Sequence, residues 1–154
     1  MSRRYWLMKS EPDTFSIDDL KMRGSEPWSG VRNYQARNFM RDQMQAGDLA
    51  FLYHSSCPQP GIYGVMEIGG RAYPDPTQFD RKSPYYDRAS TREQARWHLV
   101  DVKYKRHLKH PILLSELRAN EARLKGFKLF TAVRLSVMPV APEHWALILE
   151  LEKS

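Results

Sequence analysis

The stretch that decides the fold of this chain is Trp28-Ser29-Gly30-Val31-Arg32-Asn33-Tyr34-Gln35-Ala36-Arg37-Asn38-Phe39-Met40-Arg41-Asp42. Its first residues follow a proline and include a Ser-Gly pair, which favours a turn. Asn33 can cap a helix by accepting a hydrogen bond from a free backbone N–H of the first turn. The stretch therefore predicts a loop that carries Trp28 and leads into a helix over residues 33–44.

This helix is predicted to have two different faces. Residues spaced i, i+3, i+4 and i+8 form an apolar stripe that we expect to be buried, namely Ala36, Phe39, Met40 and Met44. Arg37 and Arg41 share another face, and Arg32 lies just before the helix. The free N–H groups of a helix N-terminus attract anions such as phosphate. We interpret the stretch as the wall of a site for a flat, phosphate-bearing ligand.

Length and composition indicate one folded domain. The 154 residues fit a single domain over positions 1–154, and an apolar content of 42% can supply its core. The 24 basic and 18 acidic residues give a net charge of +6. That charge suits a polyanionic partner, with nucleic acid first and an anionic membrane second.

Several classes of protein are excluded. Cys57 is the sole cysteine, so an intrachain disulfide is impossible. Glu11 and Asp13 interrupt any apolar run of the kind found in a signal peptide. No stretch approaches the roughly 20 apolar residues of a membrane helix. We expect no membrane partner, a cytoplasmic location (nuclear in a eukaryote) and a monomer.

The hydrophobic pattern predicts a mixed α+β fold. Strands are predicted at residues 3–10, 49–54, 62–68, 97–105 and 135–140, and helices at 16–22, 33–44, 115–124 and 142–151. The order lacks βαβ regularity, which favours a mixed, mainly antiparallel β-barrel with helices packed outside. The long irregular segment 73–87 is rich in proline and tyrosine, and a loop of that length is usually functional.

The sequence gives little support for a metal site or for a catalytic nucleophile. His107 and His110 lack a carboxylate at ligand spacing and the other histidines are scattered, so we expect neither a metal nor a cofactor. Ser55, Ser56 and Cys57 follow His54 directly, but adjacency along the chain does not orient a nucleophile towards a base. We interpret them as the polar lip of a ligand pocket.

The aromatic and basic residues divide into structural and functional candidates. Trp97 and Trp145 are predicted to lie in the core, whereas Trp28, Tyr73 and Phe79 fit a pocket and the core equally well. The basic cluster of residues 103–109 is interpreted as a solvated face. The cluster beside the Trp28 loop is the better candidate for phosphate contacts.

Several blocks together resemble the EVE domain, a PUA-like fold related to the YTH domains. They include the motif W-x-G-V-R-N-Y-Q-A-R-N-F at 28–39 and residues 5–12, 15–20, 53–62, 72–80, 86–87 and 97–102, whereas 118–134 matches loosely. The resemblance implies a pocket that accepts a single, often modified, nucleobase. It would be lined by Lys9, Ser10, Trp28, Ser29, Asn33 and Tyr34, rimmed by Tyr53, His54 and Ser55, and closed by Tyr73, Asp75 and Phe79. Arg32, Arg37 and Arg41 would hold phosphates.

Three functions remain open at this stage. The first is a non-catalytic reader of a flipped, modified cytosine in DNA. The second uses the same pocket for RNA, including tRNA, and the third is an enzyme acting on a nucleotide through His54 or Asp75. Extracting a base costs a few kcal/mol, of which stacking on an aromatic ring returns about 1–3 kcal/mol. One methyl group adds only about 0.8 kcal/mol, so we expect modest selectivity for a methyl mark.

Overall fold

The computed structural model describes residues 3–153 of the chain. In chain order, the strands within these residues are β1 (Tyr5–Ser10), β2 (Ser25–Pro27), β3 (Leu49–His54), β4 (Gly61–Ile68), β5 (Tyr73–Pro74), β6 (His98–Leu99), β7 (Asp101–Leu113) and β8 (Val137–Val140). The α-helices are α1 (Ile17–Arg23), α2 (Tyr34–Asn38), α3 (Leu114–Ala119), α4 (Lys128–Thr131) and α5 (Pro142–Leu151). A π-helical turn (Phe39–Gln43) extends α2, and two short 3-10 helices cover Pro76–Phe79 and Glu121–Arg123.

Six of the described strands form one curled sheet in the order β2-β7-β4-β3-β1-β8. The pairing of β1 with β3 is parallel, and the other neighbours in this sheet run antiparallel. The sheet is a half-barrel whose edges are β2 and β8, while β5 and β6 pair separately as a short ribbon. The predicted α+β, PUA-like, mainly antiparallel fold is confirmed.

The core is built around β3, the apolar run that the sequence predicts to be a central strand. Ala50, Phe51 and Leu52 have no exposed surface, so the strand is buried on both faces. Trp145 of α5 stacks on Phe51 with ring centroids 3.8 Å apart and on Tyr5 of β1 at 4.6 Å. Aromatic stacking of this kind attaches α5 to the sheet and confirms that Trp145 belongs to the core.

Local capping signals position two of the helices as predicted. Ser16 and Asp19 form a reciprocal capping box at the start of α1, and Gly24 ends this helix with a φ of +82°. Pro142 begins α5, which continues to Leu151.

The predicted helix 33–44 is correct in position but not entirely in type. Asn33 caps α2 by accepting a hydrogen bond from the backbone N–H of Ala36 at 2.9 Å. The α-helix ends at Asn38, and the backbone N–H of Met44 donates to the Phe39 carbonyl in the π-helical turn. In an α-helix of 3.6 residues per turn, residues spaced four apart gradually move away from one face of the helix. The π-helical turn has more residues per turn, so it returns the residue spaced four further on to the buried face. Ala36, Met40 and Met44 are consequently buried, whereas Phe39 is half-buried.

Two segments differ from the sequence-based expectation. The strand predicted at 97–105 is divided into β6 and β7, and β7 continues to Leu113 through the basic cluster. The basic side chains of the cluster are exposed, as predicted, while Leu108 and Ile112 of the same strand are buried in the core. Helix α4 was not predicted. None of the helices among residues 3–153 is long and apolar enough to cross a membrane.

Candidate functional site

A cleft of about 550 Å³ opens beside the carboxyl ends of β1 and β3. These parallel strands end side by side, and the backbone N–H of Ser55 donates to the Ser10 carbonyl at 3.0 Å. The loop after β2 forms one wall, and the segment leading into β8 forms the other. The lining residues are Lys9, Ser10, Glu11, Thr14, Phe15, Arg23, Glu26, Pro27, Trp28, Ser29, Gly30, Val31, Arg32, Ser55, Tyr85, Val133, Arg134, Leu135 and Ser136.

Trp28 lines this cleft and at the same time packs with the hydrophobic core. Its indole is 7% exposed, its backbone N–H donates to the Val100 carbonyl, and its ring packs edge-to-face on Phe15 at 6.1 Å. Among residues 3–153 the indole N–H has no acceptor, and it is not shut off from solvent. Trp28 therefore brings a free donor to a cleft that Phe15 and Tyr85 also line.

The loop that carries Trp28 is held from behind by Asp75. This carboxylate is fully buried, and its two oxygens accept hydrogen bonds from Gly30 N (2.8 Å), Arg32 Nη1 (3.2 Å), Thr77 N (2.8 Å) and Thr77 Oγ1 (2.6 Å). Burial alone would raise the pKa of Asp75, but these hydrogen bonds and the Arg32 charge lower it below its usual value. Asp75 thus places a buried negative charge directly behind the Trp28 loop.

Arg32 connects the Trp28 loop to Tyr85 at the cleft edge. Its Nε and Nη2 both donate to the Tyr85 carbonyl, at 3.1 and 2.7 Å. Nη1 donates to the Val31 carbonyl and Asp75, and Nη2 also donates to Thr77 Oγ1. A guanidinium has five N–H donors, and all five are used here. The geometry therefore argues against the predicted phosphate contact of Arg32 and assigns it the positioning of Tyr85.

The other charged groups of the cleft differ in how far they are engaged. Lys9 Nζ donates to the Val133 carbonyl at 3.1 Å, and burial lowers the pKa of this ammonium. Arg23 pairs with Glu26 at 2.8 Å. Arg134 is exposed, and its guanidinium has no carboxylate partner within the described part of the chain. Arg134 and Lys9 are therefore the cations of the cleft that are most available to an anionic ligand, Lys9 through the N–H donors that do not bind the Val133 carbonyl.

Of the predicted pocket residues, the structure brings Lys9, Ser10, Trp28, Ser29 and Ser55 to the cleft. The others lie elsewhere, and several have structural roles. Asn33 caps α2, and Tyr53 is buried within β3. His54 is buried beneath α1, where its Nε2 accepts the backbone N–H of Ile17 at 3.2 Å. Burial lowers the pKa of His54, which favours the neutral ring that this acceptor role requires.

Three predicted pocket aromatics contact other residues outside the cleft. Tyr34 stacks on Trp97 at 4.7 Å, and Phe79 lies under the Arg92 guanidinium at 4.7 Å. Tyr73 donates to Asp101 at 2.6 Å, and burial together with this bond raises its pKa to about 12. The predicted phosphate ligands Arg37 and Arg41 also lie outside the cleft; each donates to Asn38.

Sequence reasoning missed several lining residues. Phe15 belongs to a block that resembles the EVE domain but was not predicted to line the pocket. Tyr85 lies in the irregular segment 73–87, in which Tyr73 and Phe79 were the predicted pocket aromatics. Val133 and Arg134 lie in the segment that matched loosely, and only the three-dimensional pairing of β8 with β1 brings them to the cleft. No group of three His, Cys, Asp or Glu side chains within residues 3–153 could hold a metal ion.

A curled, mainly antiparallel half-barrel with a ligand-sized cleft at one end defines a PUA-like domain. The chain belongs to the EVE domain family, whose model matches residues 4–151.

Similar proteins come from animals and bacteria. Mouse thymocyte nuclear protein 1 is 46% identical over 97% of this chain and 74% of its own length. The crystal structure of human THYN1 in complex with 5-methylcytosine-containing DNA has a TM-score of 0.95 at 43% identity, covering 98% of each chain. A protein from Pseudomonas putida has a TM-score of 0.92 at 50% identity, covering 96% of this chain and 99% of its own.

Proposed function

We propose that this protein is a non-catalytic nucleic-acid-binding module whose cleft accepts one base extracted from DNA, with modified cytosine favoured. A volume of about 550 Å³ is within the usual range of small-ligand pockets. Human THYN1, whose structure is so similar, is in complex with DNA containing 5-methylcytosine, and this favours DNA over RNA as the ligand.

The observation that carries this proposal is the free indole N–H of Trp28 in an aromatic-lined cleft. A flipped base offers two stacking faces and a polar edge. Phe15 and Tyr85 supply ring surface for the faces, and stacking returns about 1–3 kcal/mol per base. The Trp28 N–H and the hydroxyl groups of Ser29 and Ser55 can bind the polar edge. Together these groups match both parts of a nucleobase.

The charges at the cleft suit the backbone of a strand. Arg134 has an unpaired guanidinium at the mouth, and Lys9 retains donors beside it. Contacts of such groups with phosphates fix the position of a strand without reading its sequence. We assign the phosphate contacts to this pair in place of Arg32.

The two acid–base candidates support a non-catalytic role because both are already engaged. His54 accepts a backbone N–H of α1 and lies outside the cleft. Asp75 accepts four hydrogen bonds and has no exposed surface. A general base must reach the proton that it abstracts, and neither group does so.

The test compares Trp28→Phe with the wild type in binding to a DNA strand that contains one 5-methylcytosine. The variant keeps an aromatic ring but lacks the N–H donor, so we expect affinity to fall about two- to tenfold, the value of one hydrogen bond. Tyr73→Phe is the matched control, because it also removes one donor but lies outside the cleft. Its affinity should equal that of the wild type.

Two results would contradict the proposal. Unchanged affinity of Trp28→Phe would remove the cleft from the binding site. Tighter binding to the matched RNA strand would favour the RNA-binding alternative. Replacing 5-methylcytosine by cytosine should weaken binding only about fourfold, as expected for burial of one methyl group.

A further inference from the structure

Val133 and Arg134 occupy the centre of a tight turn at the cleft mouth. The turn is closed by a hydrogen bond from the Leu135 N–H to the Ala132 carbonyl at 3.0 Å. Val133 is 66% exposed although it lines the cleft. Turn centres usually carry Gly, Pro, Asn, Asp or Ser, so a β-branched apolar residue is unusual here.

The turn is firmly held on both sides. Leu129 and Leu135, which flank it, are both 4% exposed. The backbone N–H of Ala132 donates to the Lys128 carbonyl at 2.8 Å, and Lys9 Nζ binds the Val133 carbonyl from the cleft floor. The valine side chain is therefore presented in a fixed position beside the cleft rather than on a loose loop.

We propose that Val133 is a wedge that enters a DNA duplex at the position vacated by the flipped base, while Arg134 contacts an adjacent phosphate. This proposal rests on the proposed function and deepens it: the preferred ligand is a duplex rather than a free strand.

The physical reason lies in the gap that flipping creates. Removing a base from a duplex breaks stacking and pairing and leaves apolar base faces open to water. DNA-binding proteins stabilise such distorted steps by inserting apolar side chains between bases. An exposed valine gains burial only when a duplex supplies this gap. A single strand has no gap to fill, and the side chain then adds nothing to binding.

The experiment measures the affinity of Val133→Ser for one 5-methylcytosine strand, alone and annealed to its complement. We expect duplex binding to weaken about 10- to 100-fold, as for losing the burial of one valine side chain, and strand binding to stay within about twofold. Val133→Ile keeps an apolar wedge and should retain duplex affinity. Met22→Ser is the matched control, since Met22 is 87% exposed and does not line the cleft.

The outcomes separate this proposal from the function on which it rests. If the wild type binds neither form, both proposals fail. If the wild type binds and Trp28→Phe weakens binding, but Val133→Ser leaves the duplex unaffected or weakens both forms equally, only the wedge fails. Because Val133 is exposed, its variants should melt at the wild-type temperature, and a lowered melting temperature would show that the turn is structural instead.

Discussion

Replacing Asp75 by Asn tests the network that shapes the cleft. The carboxylate has two acceptor oxygens, and each receives two donors: Thr77 N and Oγ1 on one side, Gly30 N and Arg32 on the other. An asparagine has one acceptor oxygen, and its amide nitrogen donates. With its amide nitrogen towards Gly30 and Arg32, the asparagine opposes two donors; in the other orientation it opposes the Thr77 N–H, because the Thr77 hydroxyl can rotate and accept.

The expected cost follows from that mismatch. One or two hydrogen bonds to a charged acceptor are lost, each worth about 1.5–3 kcal/mol, and Arg32 loses its buried counter-ion. Removing one partner of a buried ion pair typically costs about 3–5 kcal/mol, so we expect a loss in that range. At about 2–4 °C per kcal/mol for a chain of this size, the melting temperature should fall by about 6–20 °C.

The measurement is urea unfolding of the wild type, Asp75→Asn and Asp13→Asn at neutral pH. Asp13 is exposed, so its variant should stay within about 0.5 kcal/mol of the wild type. The pKa of Asp75 is lowered on folding, so its contribution is present above the unfolded pKa and is lost as pH falls through the folded value. The difference between wild type and Asp75→Asn should shrink accordingly in acid. A difference below about 0.5 kcal/mol at neutral pH would refute this account of the network.

Two further predictions concern His54 and Gly30. The pKa of His54 is lowered by burial, so below an unfolded pKa of about 6.5 the unfolded chain binds a proton that the folded chain does not. The stability of the wild type should fall as pH drops from that value towards the folded pKa. The urea midpoint of His54→Gln should fall less over the same pH range. Equal slopes of the midpoint against pH for the two proteins would contradict this role of His54. A Cβ at Gly30 would lie 2.7 Å from the Tyr85 ring, whereas one at Gly47 meets nothing within 4 Å, and both residues have positive φ. Gly47→Ala should cost about 1–2 kcal/mol for its backbone alone, and Gly30→Ala more; equal unfolding free energies would show that Tyr85 moves away freely.

Sequence patterns predicted those elements whose signals are local. An apolar run defines β3, a capping box defines the start of α1, and a proline defines the start of α5. The extension of β7 has no such signal, because its two buried residues, Leu108 and Ile112, are four positions apart and do not form an alternating apolar pattern. Two polar side chains of this strand contact residues far along the chain: Arg106 donates to Glu152 at 2.6 Å, and the His107 ring lies 2.5 Å from Asp18. Strands of two residues such as β5 and β6 are too short for any periodicity.

The sequence predicted those residues of the candidate site that lie at the carboxyl ends of strands. Lys9, Ser10 and Ser55 reach the cleft because β1 and β3 are parallel and end together. His54, the last residue of β3, does not reach the cleft, because its ring Nε2 accepts the backbone N–H of Ile17. His54 thus lies under α1 although Ser55 lines the cleft. Tyr53, His54 and Ser55 were predicted to share the pocket, and of these three only Ser55, just beyond the end of β3, lines the cleft.

Net charge and the position of arginines along the chain cannot reveal which of them is free to bind a ligand. Arg32 is one of three arginines that the sequence predicts to hold phosphates, yet folding assigns each of its five donors to an acceptor in the chain itself. Arg134 lies in an unremarkable segment and keeps its guanidinium unpaired at the cleft mouth. A hydrogen bond made on folding must be broken before the same donor can serve a ligand, and breaking one to a charged group costs about 1.5–3 kcal/mol. We therefore expect Arg134, rather than Arg32, to contact a phosphate.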